Sequence, residues 1–231
     1  MSQKKRGEQN ATEKIEEGAI EAINRSDEFI RNNRKTLIGA VVAVLVVIGG
    51  IIAYQSLYKQ PRVQKSQEAI YKAEHYFGID SFALALNGNG ADVIGFLGVI
   101  DQYGNTASGN LAQAYAGICY YHLGDFETAI KHLKSFKSDD VMVSPTVYGL
   151  IGDCYVDMGR TEEAVKYFET AAQRADNDVL SPLFLIKAGI AHEALGKSDK
   201  AKANYQTIID KYYTSPHVGE AQKMIQALEL K

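Results

Sequence analysis

Three stretches of the chain align with one another without a gap: GICYYHLGDFETAIKHL from Gly117, GDCYVDMGRTEEAVKYF from Gly152 and GIAHEALGKSDKAKANY from Gly189. Their starts lie 35 and 37 residues apart. A fixed period of this length restricts the fold strongly, because one such unit cannot bury its own apolar face and must stack on its neighbours. In every copy a second glycine follows seven residues later (Gly124, Gly159, Gly196), then five further on comes Ala129, Ala164 or Ala201, and four beyond that Leu133, Phe168 or Tyr205. The first glycine lets one helix lie close on the next, and the second ends that helix in a left-handed cap. The alanine seats the following helix. The large residue, one turn further along the same face, is expected to fill the space between units.

This is the pattern of the tetratricopeptide repeat, a helical hairpin of about 34 residues. It predicts an all-α solenoid with repeats at about 110–144, 145–181 and 182–215. Ser144-Pro145, Ser181-Pro182 and Ser215-Pro216 recur at steps of 37 and 34, each reading as a capping hydroxyl before a proline at the first helical position. The third pair predicts a capping helix over 216–229. VIDQYGNT at 99–106 echoes IIDKYYTS at 208–215, which makes 62–103 a degenerate first unit. Its first helix is expected over Gln67 to Phe77 and its second over Ala91 to Tyr103, with a glycine-rich insertion at 87–90. Cys119 and Cys154 occupy equivalent positions of stacked helices, about 8 to 10 Å apart, too far for a disulfide. Both are expected to be unpaired, buried thiols.

Ahead of the repeats, TLIGAVVAVLVVIGGIIAYQSLY from Thr36 to Tyr58 carries no charge for 23 residues, long enough at about 1.5 Å per residue to cross a bilayer. Lys35 and Lys59 bracket it, and Tyr54 and Tyr58 stand where aromatic rings favour the interface. A cleaved signal peptide would have a shorter apolar core nearer the N-terminus, so 36–58 reads as a retained anchor. Gly39 with Ala43 and Gly49 with Ala53 are small-xxx-small pairs that would let a second transmembrane helix approach. Residues 1–35 carry eight Lys/Arg, which favours an inside N-terminus, and apolar residues from Ile15 to Ile30 at helical spacing predict an amphipathic helix in this tail. The domain over 59–231 is then on the far side of the membrane.

That domain holds seventeen basic against twenty-one acidic residues, the opposite of a nucleic-acid-binding surface. His75, His122, His132, His192 and His217 form no HxxxH or HExxH pair, so neither a metal nor another cofactor is expected. Gly88 and Gly90 form a GxG without a third glycine or a preceding strand, and no catalytic constellation is evident. The chain reads as a protein-binding module and not as an enzyme. The first helices of the repeats should line its groove: Leu111, Ala114, Ile118 and Tyr121 on one, Gly149, Asp153 and Val156 on the next, Leu183, Ile186 and Ile190 on the third. No Lys/Asn/Arg set for clamping a C-terminal carboxylate occurs among them.

A tail reading DEFIRNNRKTLIGAVVAVLVV, with Phe29, Asn32, Asn33 and Lys35 before the apolar run, joined to one span and degenerate repeats, resembles the YfgM family of ancillary SecYEG translocon subunits. GNLAQAYAGICYYHLGD and SFALALNG resemble its Bacteroidetes version. The resemblance implies a bacterial inner-membrane protein with a periplasmic repeat domain, associated with SecYEG and with a periplasmic chaperone such as PpiD, without catalytic residues. The other reading is an envelope scaffold for cell division or outer-membrane biogenesis. The retained span and charged tail favour the translocon.

Overall fold

The computed structural model of the protein describes residues 29–230, in which all regular structure is helical. They divide after Pro61 into two compact units. In the first, α1 (Arg34–Tyr54) leads into a π-helical stretch, Gln55–Lys59, and none of these residues is buried. This run is long and apolar enough to cross a membrane. The 21 residues of α1 rise about 31 Å, close to the thickness of a hydrocarbon core. A Cβ added at Gly39 or Gly49 would meet no atom within 4 Å. Most of the amphipathic helix expected in the tail lies outside the described residues.

The second unit is built from α2 (Gln60–Phe77, from Arg62 onward), α3 (Phe82–Asn87), α4 (Gly95–Tyr103), α5 (Ala107–His122), α6 (Phe126–Ser135), α7 (Val143–Asp157), α8 (Thr161–Ala175), α9 (Leu180–Ala194), α10 (Ser198–Lys211) and α11 (Val218–Glu229). Helices α5 to α11 pack mainly on their sequence neighbours, and α7 also touches α9, as a stack of hairpins requires. The repeat glycines explain the close pairing. A Cβ on Gly117 would lie 2.5 Å from Leu133, on Gly152 2.5 Å from Phe168, and on Gly189 2.3 Å from Tyr205. The large residue of each repeat therefore fills the gap inside its own hairpin, where only a glycine leaves room, instead of lying solely between units as the pattern suggested. Gly124, Gly159 and Gly196 take φ of +80°, +71° and +69°, and the residue after each donates its N–H back five positions, to the carbonyls of Tyr120, Tyr155 and His192.

Ser144 and Ser181 do not cap as expected, while Ser215 accepts the His217 N–H at 3.3 Å and α11 begins at Val218, two residues after Pro216. Helix α7 starts at Val143 and α9 at Leu180, one residue ahead of each serine. The free N–H groups of Met142 and Val143 donate to Asp140 at 2.8 and 2.9 Å, and those of Val179 and Leu180 to Asn177 at 3.0 and 2.8 Å. Ser181, fully buried, instead donates to the Ala172 carbonyl at 2.8 Å and ties α9 to α8. Pro145 and Pro182 remain in the first turn, where a missing N–H costs nothing.

The first unit of the stack also departs from expectation. A short helix, α3, precedes the glycine-rich segment, and the helix expected from Ala91 begins only at Gly95. Gly88, Gly90 and Gly95 all have positive φ, and the Asn89 side-chain oxygen accepts from the N–H groups of Ala91, Asp92 and Val93, so residues 88–94 form a tight loop. Ile70, Ala73, Leu86, Phe96 and Val99 form one core with α5, and a second core runs from Ala129 to Ala221. Cys119 and Cys154 are free and fully buried, one in each core. Burial pushes both thiols up to about 12.

A candidate protein-binding groove

Helices α5, α7 and α9 are the first helices of the three repeats, and the register of their glycines decides which side chains they leave outward. Gly117, Gly152 and Gly189 point into the hairpins, so positions one residue later and six earlier lie on another face. Leu111, Leu183 and Ile190 on that face are exposed by 38, 36 and 48 % of their surface, and Val156 by 45 %. Ile118, Tyr121 and Asp153 are half-buried. Ala114, Gly149 and Ile186 are buried between helices. Gly149 presents no side chain, and a Cβ there would lie 2.1 Å from the ring of Phe184, so its place is to admit that ring.

The structure brings Leu111, Ala114 and Ile118 together in a cleft of about 390 Å³ between α5 and α7. Its other walls are Tyr115, Met142, Val143, Thr146 and Val147, none of which the groove pattern singled out. Met142 and Val143 belong to the first turn of α7 and its cap, which the Ser-Pro signature placed outside the helix. Their signal was the run Val141-Met142-Val143, three apolar residues left exposed by 59, 47 and 43 %. Val179, 37 positions after Met142, repeats the pattern with 63 % exposure. The walls carry no formal charge, so the cleft can hold apolar side chains.

Further along the same helices the groove turns polar. The Lys187 ammonium lies 2.8 Å from both oxygens of Asp153, joining α9 to α7 with about a third of each side chain exposed. A pair this wet holds the helices in register more than it stabilises them. Tyr121 on α5 has its hydroxyl pushed up to about 12 by burial and, after that, by its hydrogen bond to Asp157 on α7. It is a neutral hydrogen-bond donor at any physiological pH. A ligand lying across α5, α7 and α9 therefore meets an apolar cleft at one end and a row of satisfied polar contacts at the other.

Tetratricopeptide-repeat family models match residues 112–140, 145–178 and 185–215, on the three aligned copies. The TPR repeat-containing protein MJ1428 of Methanocaldococcus jannaschii is 31% identical over 121 residues, which make up 52% of this chain and 20% of that protein. The chain thus spans about a fifth of the length of that curated relative. Among solved structures, a crystal structure of MamA protein aligns with 72% of this chain and 80% of its own at a TM-score of 0.54 and 17% identity, a likeness of fold.

Proposed function

We propose that this tetratricopeptide-repeat protein is a membrane-anchored, non-catalytic scaffold whose groove holds an apolar segment of a partner protein. The observation that carries the reading is the uncharged cleft between α5 and α7, with Leu111, Met142 and Val143 left exposed at its rim. An amphipathic or extended segment laid into it removes apolar surface from water on both partners, at about 25 cal/mol per Å² before the costs of association. The scaffold stands at the SecYEG translocon, with its repeats in the periplasm holding a chaperone such as PpiD near emerging chains. The eight basic residues of the tail, the apolar run of α1 and the junction around Phe29, Asn32, Asn33 and Lys35 support this placement. Gly39, Ala43, Gly49 and Ala53 offer the face for the translocon inside the bilayer.

The test is co-purification of the full-length chain from detergent-solubilised membranes. Ile118→Glu with Val143→Glu should lower recovery of the chaperone by about tenfold, the effect of roughly 1.4 kcal/mol of lost burial, and leave SecYEG bound. Gly39→Leu with Gly49→Leu should do the reverse. Chaperone recovery unchanged by the charged groove overturns the groove assignment. A wild-type chain that never retains SecYEG overturns the translocon placement and favours the envelope-scaffold reading.

A further inference from the structure

A larger cleft, of about 700 Å³, opens between the end of α6, the loop after it, and helices α7 and α8. Its apolar lining includes Leu133, Val147 and Ile151, all buried, and it is walled by the rings of Tyr148 and Tyr167. Lys134, Lys137 and Arg174 also line it, against one carboxylate, Asp139. These cations come from two helices and a loop, and side-chain contacts hold Lys134 and Arg174 while backbone contacts fix the position of Lys137. Asn110 clamps the backbone of Lys137 by accepting its N–H at 2.9 Å and donating to its carbonyl at 2.8 Å. The Arg174 guanidinium lies 4.4 Å over the Tyr148 ring and donates to the Ser144 hydroxyl at 3.3 Å. The Lys134 ammonium lies 5.3 Å from the centre of the Tyr167 ring and donates to the Tyr155 hydroxyl at 3.3 Å.

None of the three cations forms an ion pair among the described residues. Lys187, Lys197, Lys202 and Lys211 of the same unit each reach a carboxylate within 2.8 Å. Ring faces and hydroxyls orient a cation but leave its charge whole. Two oriented positive charges, with Lys137 beside them, therefore surround a concave apolar floor without a paired carboxylate among the described residues.

We infer that this cleft, which shares only Val147 with the cleft of the groove, is a second ligand site for an organic anion: a carboxylate or phosphate carried on a small aromatic or branched apolar body. The anionic group accepts from the fork of Arg174 and the lysine ammonium groups, in bonds stronger than neutral ones. The body rests on Leu133, Val147 and Ile151 and against the tyrosine rings. A volume of this order is usual for a small-molecule site. The same chemistry occurs in a free aryl carboxylate and in an acidic residue beside an aromatic one in a peptide.

The test is calorimetric titration of the full-length chain in detergent with N-acetylphenylalanine, its neutral amide, acetate, and a capped Phe-Asp-Phe peptide. The aryl carboxylate or the peptide should bind about tenfold or more tighter than both the amide and acetate, and the tighter of the two identifies the natural source. Arg174→Gln and Lys134→Gln should each weaken that binding about tenfold with the helical circular-dichroism signal intact. Lys131→Gln removes the same charge from an exposed position of α6 outside the cleft and should change affinity less than about twofold. Equal binding of carboxylate, amide and acetate, binding of none of them, or indifference to Arg174→Gln and Lys134→Gln overturns the proposal.

Discussion

Gly152 and Gly159 stand seven residues apart and are required for different reasons. Gly152 is helical and fails to be alanine because the ring of Phe168 occupies the place of its Cβ. Gly159 has open space around it but a φ of +71°. Gly152→Ala should destabilise the repeat unit by about 1 to 3 kcal/mol through overpacking, and Phe168→Leu added to it should recover part of that loss. Gly159→Ala should cost about 1 to 2 kcal/mol with no recovery from the same second change. Denaturant midpoints of the four variants distinguish the two causes. The buried thiols supply a second residue-scale prediction. In the unfolded chain Cys119 and Cys154 ionise near the ordinary value of 9.0, whereas in the folded chain burial holds each to about 12. Their contribution is fully present below pH 9 and is lost as pH rises toward 12, because there the unfolded state sheds protons that the folded state keeps. Both thiols should resist a disulfide reagent at pH 8 until denaturant is added, and stability should fall less steeply above pH 9 in the Cys119→Ala, Cys154→Ala variant. Rapid native labelling, or an unchanged slope, contradicts the packing of the two cores.

At the scale of one helix, the start of α9 shows how far a local signature reaches. Ser181-Pro182 marks the first turn, because proline tolerates only that part of a helix. It does not tell which side chain caps it. Asn177 takes that part, and Asn177→Ala should cost about 1 to 2 kcal/mol while Asn177→Asp retains most of the stability. An equal loss in both variants would show that the amide's own bond to the Ala175 carbonyl matters more than the cap. The groove divides in the same way. Helical period identified the outward face with Leu111, Val156, Leu183 and Ile190, all exposed in the structure. It could not separate these from Ala114 and Ile186, which the neighbouring helix covers, nor find Met142 and Val143, which reach the cleft because α7 starts earlier than its proline suggests.

Over the repeat unit, contacts run mostly between sequence neighbours, so stability should be graded along the stack. Helix α11 buries only Ala221 fully, whereas α7, α8 and α9 each bury six or more residues. Amide hydrogen exchange should be at least about tenfold slower in α7 to α9 than in α11, the ratio expected for a difference of some 1.4 kcal/mol in local opening. Uniform protection would mean that the stack opens only as a whole. The sequence by itself determined the all-helical class, the hairpin period and the apolar run of α1, because each depends on spacing along one chain: the turn of a helix, the room of a glycine, the length needed to cross a bilayer. Only the tertiary structure decided that Phe168 and Tyr205 close on glycines of their own hairpins and that Ser181 is drawn under the Ala172 carbonyl. It also decided that Lys134, Lys137 and Arg174 meet around one cleft. Those outcomes depend on which surfaces come within a few ångströms of one another, and that distance is set by the packing of whole helices and not by the order of residues within them.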